Sequence, residues 1–215
     1  LPGVTRVIPC MLPGDPDPAK ADRAARTAHP SLLFLGSRGS RKRGELALEL
    51  HRALRARFPS LTLTYVGPPP ECAALRGTPG TEGVEFLSRL DQESLLGLYR
   101  RSWIYLCLSS YEGFGVGLIE AMACGCVAFT TPHPGADFLV RNGDNGLVAA
   151  PSEAGSVLAR VLAEAGEREA IAARGMAEAW RYAPRAVAGA YLELYRLATG
   201  NADADAKRTG EARWA

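Results

Sequence analysis

What the chain lacks narrows it first. Its 215 residues contain no apolar run of eighteen or more, so no segment reads as membrane-spanning. No secretory leader is visible. Net charge is only +2, with 25 Lys and Arg against 23 Asp and Glu, so no global basic field argues for nucleic acid. Five cysteines, at positions 10, 72, 107, 124 and 126, form an odd count without framework spacing, which points to a reducing, cytoplasmic setting. Cys124 and Cys126 have no Cys or His partners spaced as in a zinc site, and read as small buried residues between a helix and a strand. There is no internal repeat.

What is present is an alternation of apolar strand-like runs and amphipathic helical segments. Strands are expected at 31–36, 61–66, 84–88, 104–108, 127–130 and, shorter, at 146–149. Helices are expected at 44–57, 92–101 and 116–124, with two or three more between 152 and 198. "GPPPECAALRGTPGTEG" reads as a loop, and "TRVIP" near the start as a short strand in a Pro-rich entry segment. The pattern predicts an α/β domain with a parallel sheet covered on both faces. Its extent is expected to be 31–200, after an entry segment 1–30 and before a polar, disordered tail 201–215. Trp180, Tyr182, Tyr191 and Tyr195 fall at helical spacing and read as core.

The richest stretch is "SSYEGFGVGLIEAMACGC". Glu112 and Glu120, with seven residues between them, enclose Gly113, Gly115 and Gly117 on a strand-to-helix turn. In an open α/β sheet such a turn lies at the carboxyl end of a strand, where ligands bind, and the free N–H groups of the helix start attract anions. A carboxylate beside a phosphate is repulsive unless it accepts hydrogen bonds from something else, and sugar hydroxyls are such donors. A ligand with hydroxyls on both sides of its phosphates, a nucleotide sugar, fits that arrangement. A dinucleotide fingerprint would need Gly where Leu118 stands, and the Gly-Lys-Ser/Thr of a P-loop is absent. A second cluster, "SRGSRKRG", packs four basic residues between a strand and a helix at the same end of the sheet. Arg38 and Arg43 are expected to contact phosphate, and Arg41 and Lys42 to be solvated.

Taken together, these segments resemble the retaining GT-B glycosyltransferases of the Glu-seven-residues-Glu type, in their C-terminal, donor-binding half. Arg38 falls at that family's arginine and Arg43 at its lysine, and "ADFLVRNGDNGLVAAP" is similar to the segment after its next strand. The resemblance implies a Rossmann-like domain that binds a nucleotide sugar, most simply a UDP- or GDP-sugar, and transfers the sugar with retention and without a metal or cofactor. It implies that Glu112 holds hydroxyls of the transferred sugar and Glu120 those of the ribose. Arg38, Arg43 and the backbone of Gly113, Phe114, Gly115 and Val116 would take the phosphates, and the backbone of Ser88, Arg89 and Leu90 the base.

A complete enzyme of this kind has two domains of ~100 to 200 residues each, and the chain begins at Leu1. An N-terminal acceptor domain is therefore expected to be missing, leaving this half inactive alone, with any peripheral membrane contact made through the other half. Departures from the family pattern are Arg43 for lysine, Cys126 for proline, Ser88 for glycine and Asp137 for glutamate.

Other candidates are weaker. The pairs Asp15/Asp17 and Asp203/Asp205 do not follow apolar strands, so they are not read as metal ligands. His29 and His51 read as solvated, while His133, beyond a strand, divides evenly between loop residue and substrate contact. The high Ala and Arg content fits a GC-rich bacterial genome. Two other functional classes stay open on sequence grounds: a non-catalytic nucleotide-sugar-binding or regulatory module, and a structural α/β domain whose glycine turn merely packs tightly.

Overall fold

The computed structural model describes residues 8–14, 26–39 and 41–199. Residues 15–17 and 201–215, and with them both Asp-x-Asp pairs and the expected tail, lie outside the described residues. So does most of "TRVIP".

Six parallel strands, β1 (Ser31–Leu35), β2 (Thr62–Val66), β3 (Val84–Leu87), β4 (Ile104–Cys107), β5 (Val127–Thr130) and β6 (Leu147–Val148), form one sheet in the order β3-β2-β1-β4-β5-β6. The chain builds outward from β1 to β3, then returns to lay β4 beside β1 and builds the other way. β1 and β4 pair with Leu33 opposite Tyr105. Where the direction reverses, the loops leaving two neighbouring strands go to opposite faces and open a crevice, which is where ligands bind in sheets of this kind.

Central strands of a doubly covered sheet are apolar on both faces, and β4 and β5 are buried at every position. On one face Leu32, Phe34, Leu63, Tyr65, Ile104, Leu106 and Phe129 join Ala47, Leu50 and Leu54 of α1 (Gly44–Arg55) and Leu158 and Val161 of α6 (Ala154–Ala163). On the other, Leu33, Tyr105, Cys107 and Ala128 pack with Leu98 and Tyr99 of α3 (Gln92–Arg101) and Leu118, Ile119 and Met122 of α4 (Val116–Ala123). α7 (Ala165–Ala179) and α8 (Pro184–Thr199), joined through a short 3₁₀ turn at Trp180–Tyr182, complete the described helices between 152 and 199.

Two helices appear where loops were expected. The segment after β2 carries α2 (Pro69–Leu75), and that after β5 carries α5 (Pro134–Leu139). Both begin with proline, whose missing N–H costs nothing in a first turn and whose φ is already helical. His51 is also corrected. It was expected to be solvated and is fully buried, because it shares the inward face of α1 with Ala47, Leu50 and Leu54. The aromatic reading holds only for Tyr182, which is buried, whereas Trp180, Tyr191 and Tyr195 are exposed. Cys124 and Cys126 are buried free thiols as expected.

Candidate functional site

The crevice at the switch point is closed at its base by contacts between two loops, the one after β1 and the one after β4. The Ser110 N–H donates to Arg41 O at 2.9 Å, and Arg41 Nη1 donates to Tyr111 O at 2.6 Å. Above these contacts three donors converge on a single oxygen: Arg41 Nη1, Lys42 Nζ and Ser109 Oγ each lie 2.7 Å from Glu112 Oε1. Burial alone would push the Glu112 carboxyl up. The hydrogen bonds from Lys42, Ser109 and Arg41 outweigh it and hold the group at about 2. All three of these contacts are to Oε1.

Within the basic loop it is Arg41 and Lys42 that reach Glu112, Arg41 while keeping 47% of its side chain exposed. Arg38 points elsewhere, pairing with Glu45 at 2.7 Å and lining a separate groove with Glu49 and Arg52. Arg43 stands just before α1 with φ 56°, the left-handed region, and its side chain meets no partner among the described residues. A left-handed turn at a non-glycine residue redirects the chain, and Lys42 takes the inward position in its place. The loop is held from below. Glu71 accepts the Arg38 N–H on both oxygens, at 2.9 and 3.0 Å, and takes the Tyr65 hydroxyl at 2.5 Å.

Only one glycine of the glutamate turn is demanded by its backbone angles. Gly115, immediately before α4, has φ 97°, and no side chain caps the helix. The Leu118 N–H turns back to Gly115 O at 2.9 Å, while Val116 and Gly117 at the very start of α4 line the crevice mouth, where the positive end of the helix dipole lies. Lys42, Tyr105, Cys107, Glu112, Phe114, Val116 and their neighbours line a cleft of roughly 340 Å³ there, within the usual range for small-ligand sites. Gly135 is pressed against the far side of the turn: its N–H donates to Glu112 O, and a Cβ on it would overlap the Phe114 carbonyl. The turn is thus fixed from both flanks.

Glu120 lies one helical turn into α4. Its carboxylate is shifted upward by burial, opposed by hydrogen bonds from Gln92 at 3.4 Å and Tyr99 at 3.2 Å. Gln92 opens α3, directly after Ser88–Leu90 and the Asp91 cap, whose carboxylate accepts from the Ser94 N–H. The start of α3, just after the candidate base-contacting segment, therefore stands beside Glu120. In that segment Arg89 has φ 54°.

His133 is a structural residue. It caps α5, its Nδ1 accepting the Ala136 N–H at 3.0 Å, so the ring proton sits on Nε2, which faces Thr130 Oγ1 at 3.0 Å. Burial lowers its proton affinity further. Both nitrogens are committed in the neutral ring, which leaves it no lone pair for proton transfer. Asp137, on α5, is exposed. Among the described residues no cluster of three or more His, Cys, Asp or Glu gathers as a metal site would require, and no helix is long and apolar enough to cross a membrane.

An open, six-stranded parallel α/β sheet with a cleft at its switch point, lined by Lys42 and Glu112, defines a Rossmann-like domain of the GT-B glycosyltransferase class. The chain belongs to the glycosyl transferases group 1 family, whose profile matches residues 17–181. Among curated relatives, it is 31% identical over 195 residues to the GDP-mannose:cellobiosyl-diphosphopolyprenol alpha-mannosyltransferase of Komagataeibacter xylinus, covering 84% of this chain and 49% of that one. It is 29% identical over 203 residues to the D-inositol 3-phosphate glycosyltransferase of Rhodococcus jostii, covering 88% and 45%. The chain thus spans about half the length of the curated relatives it matches. Solved structures share the fold. Sucrose-phosphate synthase from Thermosynechococcus elongatus superposes with a TM-score of 0.73 at 24% identity, over 93% of this chain and 54% of that one. The C-terminal domain of a glycosyl transferase group 1 family protein from Francisella tularensis gives 0.61 at 18% identity, over 82% of this chain and 96% of that domain.

Proposed function

We propose that this chain is the donor-binding half of a retaining, metal-independent glycosyltransferase that takes its sugar from a nucleoside diphosphate sugar. The observation that carries the reading is the convergence of Arg41 and Lys42 on Glu112 in the cleft beside the uncapped start of α4, with Glu120 one turn further along that helix. Cations and helix N–H groups suit a diphosphate, and the carboxylates suit hydroxyls. Breaking the bond between sugar and phosphate leaves negative charge on the departing nucleoside diphosphate. Preorganised donors aimed at that charge stabilise it as it develops.

In this mechanism Lys42 and Arg41 turn from Glu112 Oε1 toward the diphosphate, together with the first N–H groups of α4. Arg38 joins them at little cost, since its exposed pair with Glu45 is worth about 1 kcal/mol or less. Guanidinium and ammonium groups do here what a divalent metal does in other phosphate sites. Glu112 presents Oε2 to the transferred sugar, Glu120 accepts from the ribose, and the backbone of Ser88–Leu90 meets the base. The acceptor site belongs to the part of the protein beyond this chain, so transfer requires both parts.

The test is calorimetric titration with UDP, GDP and ADP in the absence of metal, on the wild-type chain and on Glu120→Ala. Binding of one nucleotide that weakens in the variant supports the reading and identifies the base. Binding that appears only with a divalent cation would sink the metal-independent part of it. No binding to any of the three, in the intact protein as well, would sink the whole.

A further inference from the structure

Behind Glu120 stands a tyrosine pair that none of the donor contacts above uses. Tyr99, on α3, is buried, and its hydroxyl lies 3.2 Å from Glu120 Oε2. Tyr105, on β4, is buried beside it, with ring centroids 5.3 Å apart in an edge-to-face arrangement and both hydroxyls directed at Gly117. Tyr105 thus packs against Tyr99, and Tyr99 reaches the Glu120 carboxylate.

The third glycine of the turn is explained by this pair. Gly117 is not in the left-handed region, so its backbone does not demand glycine. A Cβ there would come 2.7 Å from Tyr105 Oη and 3.3 Å from Tyr99 Oη. Gly117 is the space in which the two hydroxyls meet. Burial drives both phenols well above their ordinary range, so they stay protonated and Tyr99 remains a donor.

We infer that Tyr99 is a positioning residue for Glu120, fixing the carboxylate toward the ribose hydroxyls, with Tyr105 and the open space at Gly117 setting where Tyr99 stands. The inference rests on the proposed donor reading, in which Glu120 accepts from the ribose. Its physical basis is that a glutamate on a helix rotates about three side-chain torsions, while a hydrogen bond from a buried, two-torsion tyrosine holds one oxygen and leaves the other aimed outward. Gln92, exposed and 3.4 Å from Oε1, is too long and too free to do this alone.

The experiment compares the binding of the preferred ribonucleoside diphosphate and its 2′-deoxy counterpart to wild type, Tyr99→Phe and Tyr105→Phe. Tyr99→Phe should weaken the ribonucleotide by about tenfold, the scale of a lost hydrogen bond to a charged group, and change the deoxynucleotide by less than about twofold. Tyr105→Phe should show the same selectivity for the ribose with a smaller loss, and it carries the test if Tyr99→Phe does not fold. In a Glu120→Ala background the Tyr99 substitution should have no further effect. Equal losses for both sugars, or no loss for either, would overturn the assignment while leaving the donor reading intact. A wild type that binds both nucleotides equally would instead overturn the ribose role of Glu120, and this inference with it.

Discussion

Lys42 Nζ lies 2.7 Å from Glu112 Oε1 although 70 residues separate them in sequence. The contact exists because β1 and β4 are neighbours across the switch point, so the loops that follow them share one crevice. In the proposed donor reading, this cation and carboxylate serve the diphosphate and a sugar hydroxyl. Lys42→Ala should therefore weaken nucleoside diphosphate binding by about 10- to 100-fold, the range for a charge-assisted hydrogen bond. Arg43→Ala should cost less. Calorimetry on the two variants decides between them, and a larger loss for Arg43→Ala would return the phosphate role to the position where the family pattern puts it.

The crevice loop also depends on a close approach at its far end. A Cβ on Gly44 would overlap Tyr65 Oη and come 2.7 Å from the Ser37 carbonyl. Gly44→Ala is expected to destabilise the fold by about 1–3 kcal/mol, the usual cost of overpacking. Tyr65→Phe removes the nearest clashing atom and leaves only the approach to Ser37, at the expense of the hydroxyl that Glu71 accepts. The two substitutions should then be markedly non-additive, the double variant more stable than the sum of the singles. Urea unfolding of the four proteins measures this, and simple additivity would show that the clash is relieved by backbone movement.

The sheet was legible because strand runs such as "SLLFL" and "VAFT" are apolar but for one end residue, and the candidate turn because its glycines and glutamates directly follow such a run, β4. Local pattern fails where a residue's environment is set elsewhere. α2 and α5 were hidden by prolines that also mark loops, although Pro134 following His133 was a usable N-terminal signal. His51 was readable too, since counting four from Ala47 places it inward. The choice of Lys42 and Arg41 over Arg43 was not readable. It turns on a left-handed backbone at Arg43 and on ion pairs across 70 residues, neither of which leaves a mark in composition or spacing.

Buried His51 makes stability depend on pH. Its Nε2 lies 3.2 Å from the Leu61 carbonyl, and Nδ1 is buried without a hydrogen-bond partner. Desolvation lowers its proton affinity in the fold, the Leu61 hydrogen bond opposing only in part and nearby Arg55 lowering it further. The unfolded chain thus binds this proton more readily, near the ordinary value of ~6.5. The stabilising contribution is fully present above that pH and is lost as pH falls toward the lowered folded value, with a slope of at most about 1.4 kcal/mol per pH unit for one proton. His133, lowered for the same reason, adds to the slope in the wild type. His51→Gln preserves a donor for Leu61 without a titrating ring, so its unfolding free energy should fall less steeply than that of wild type between about pH 7 and 5. Parallel curves for the two proteins would show that His51 stays neutral, or is equally protonated, in both states across that range.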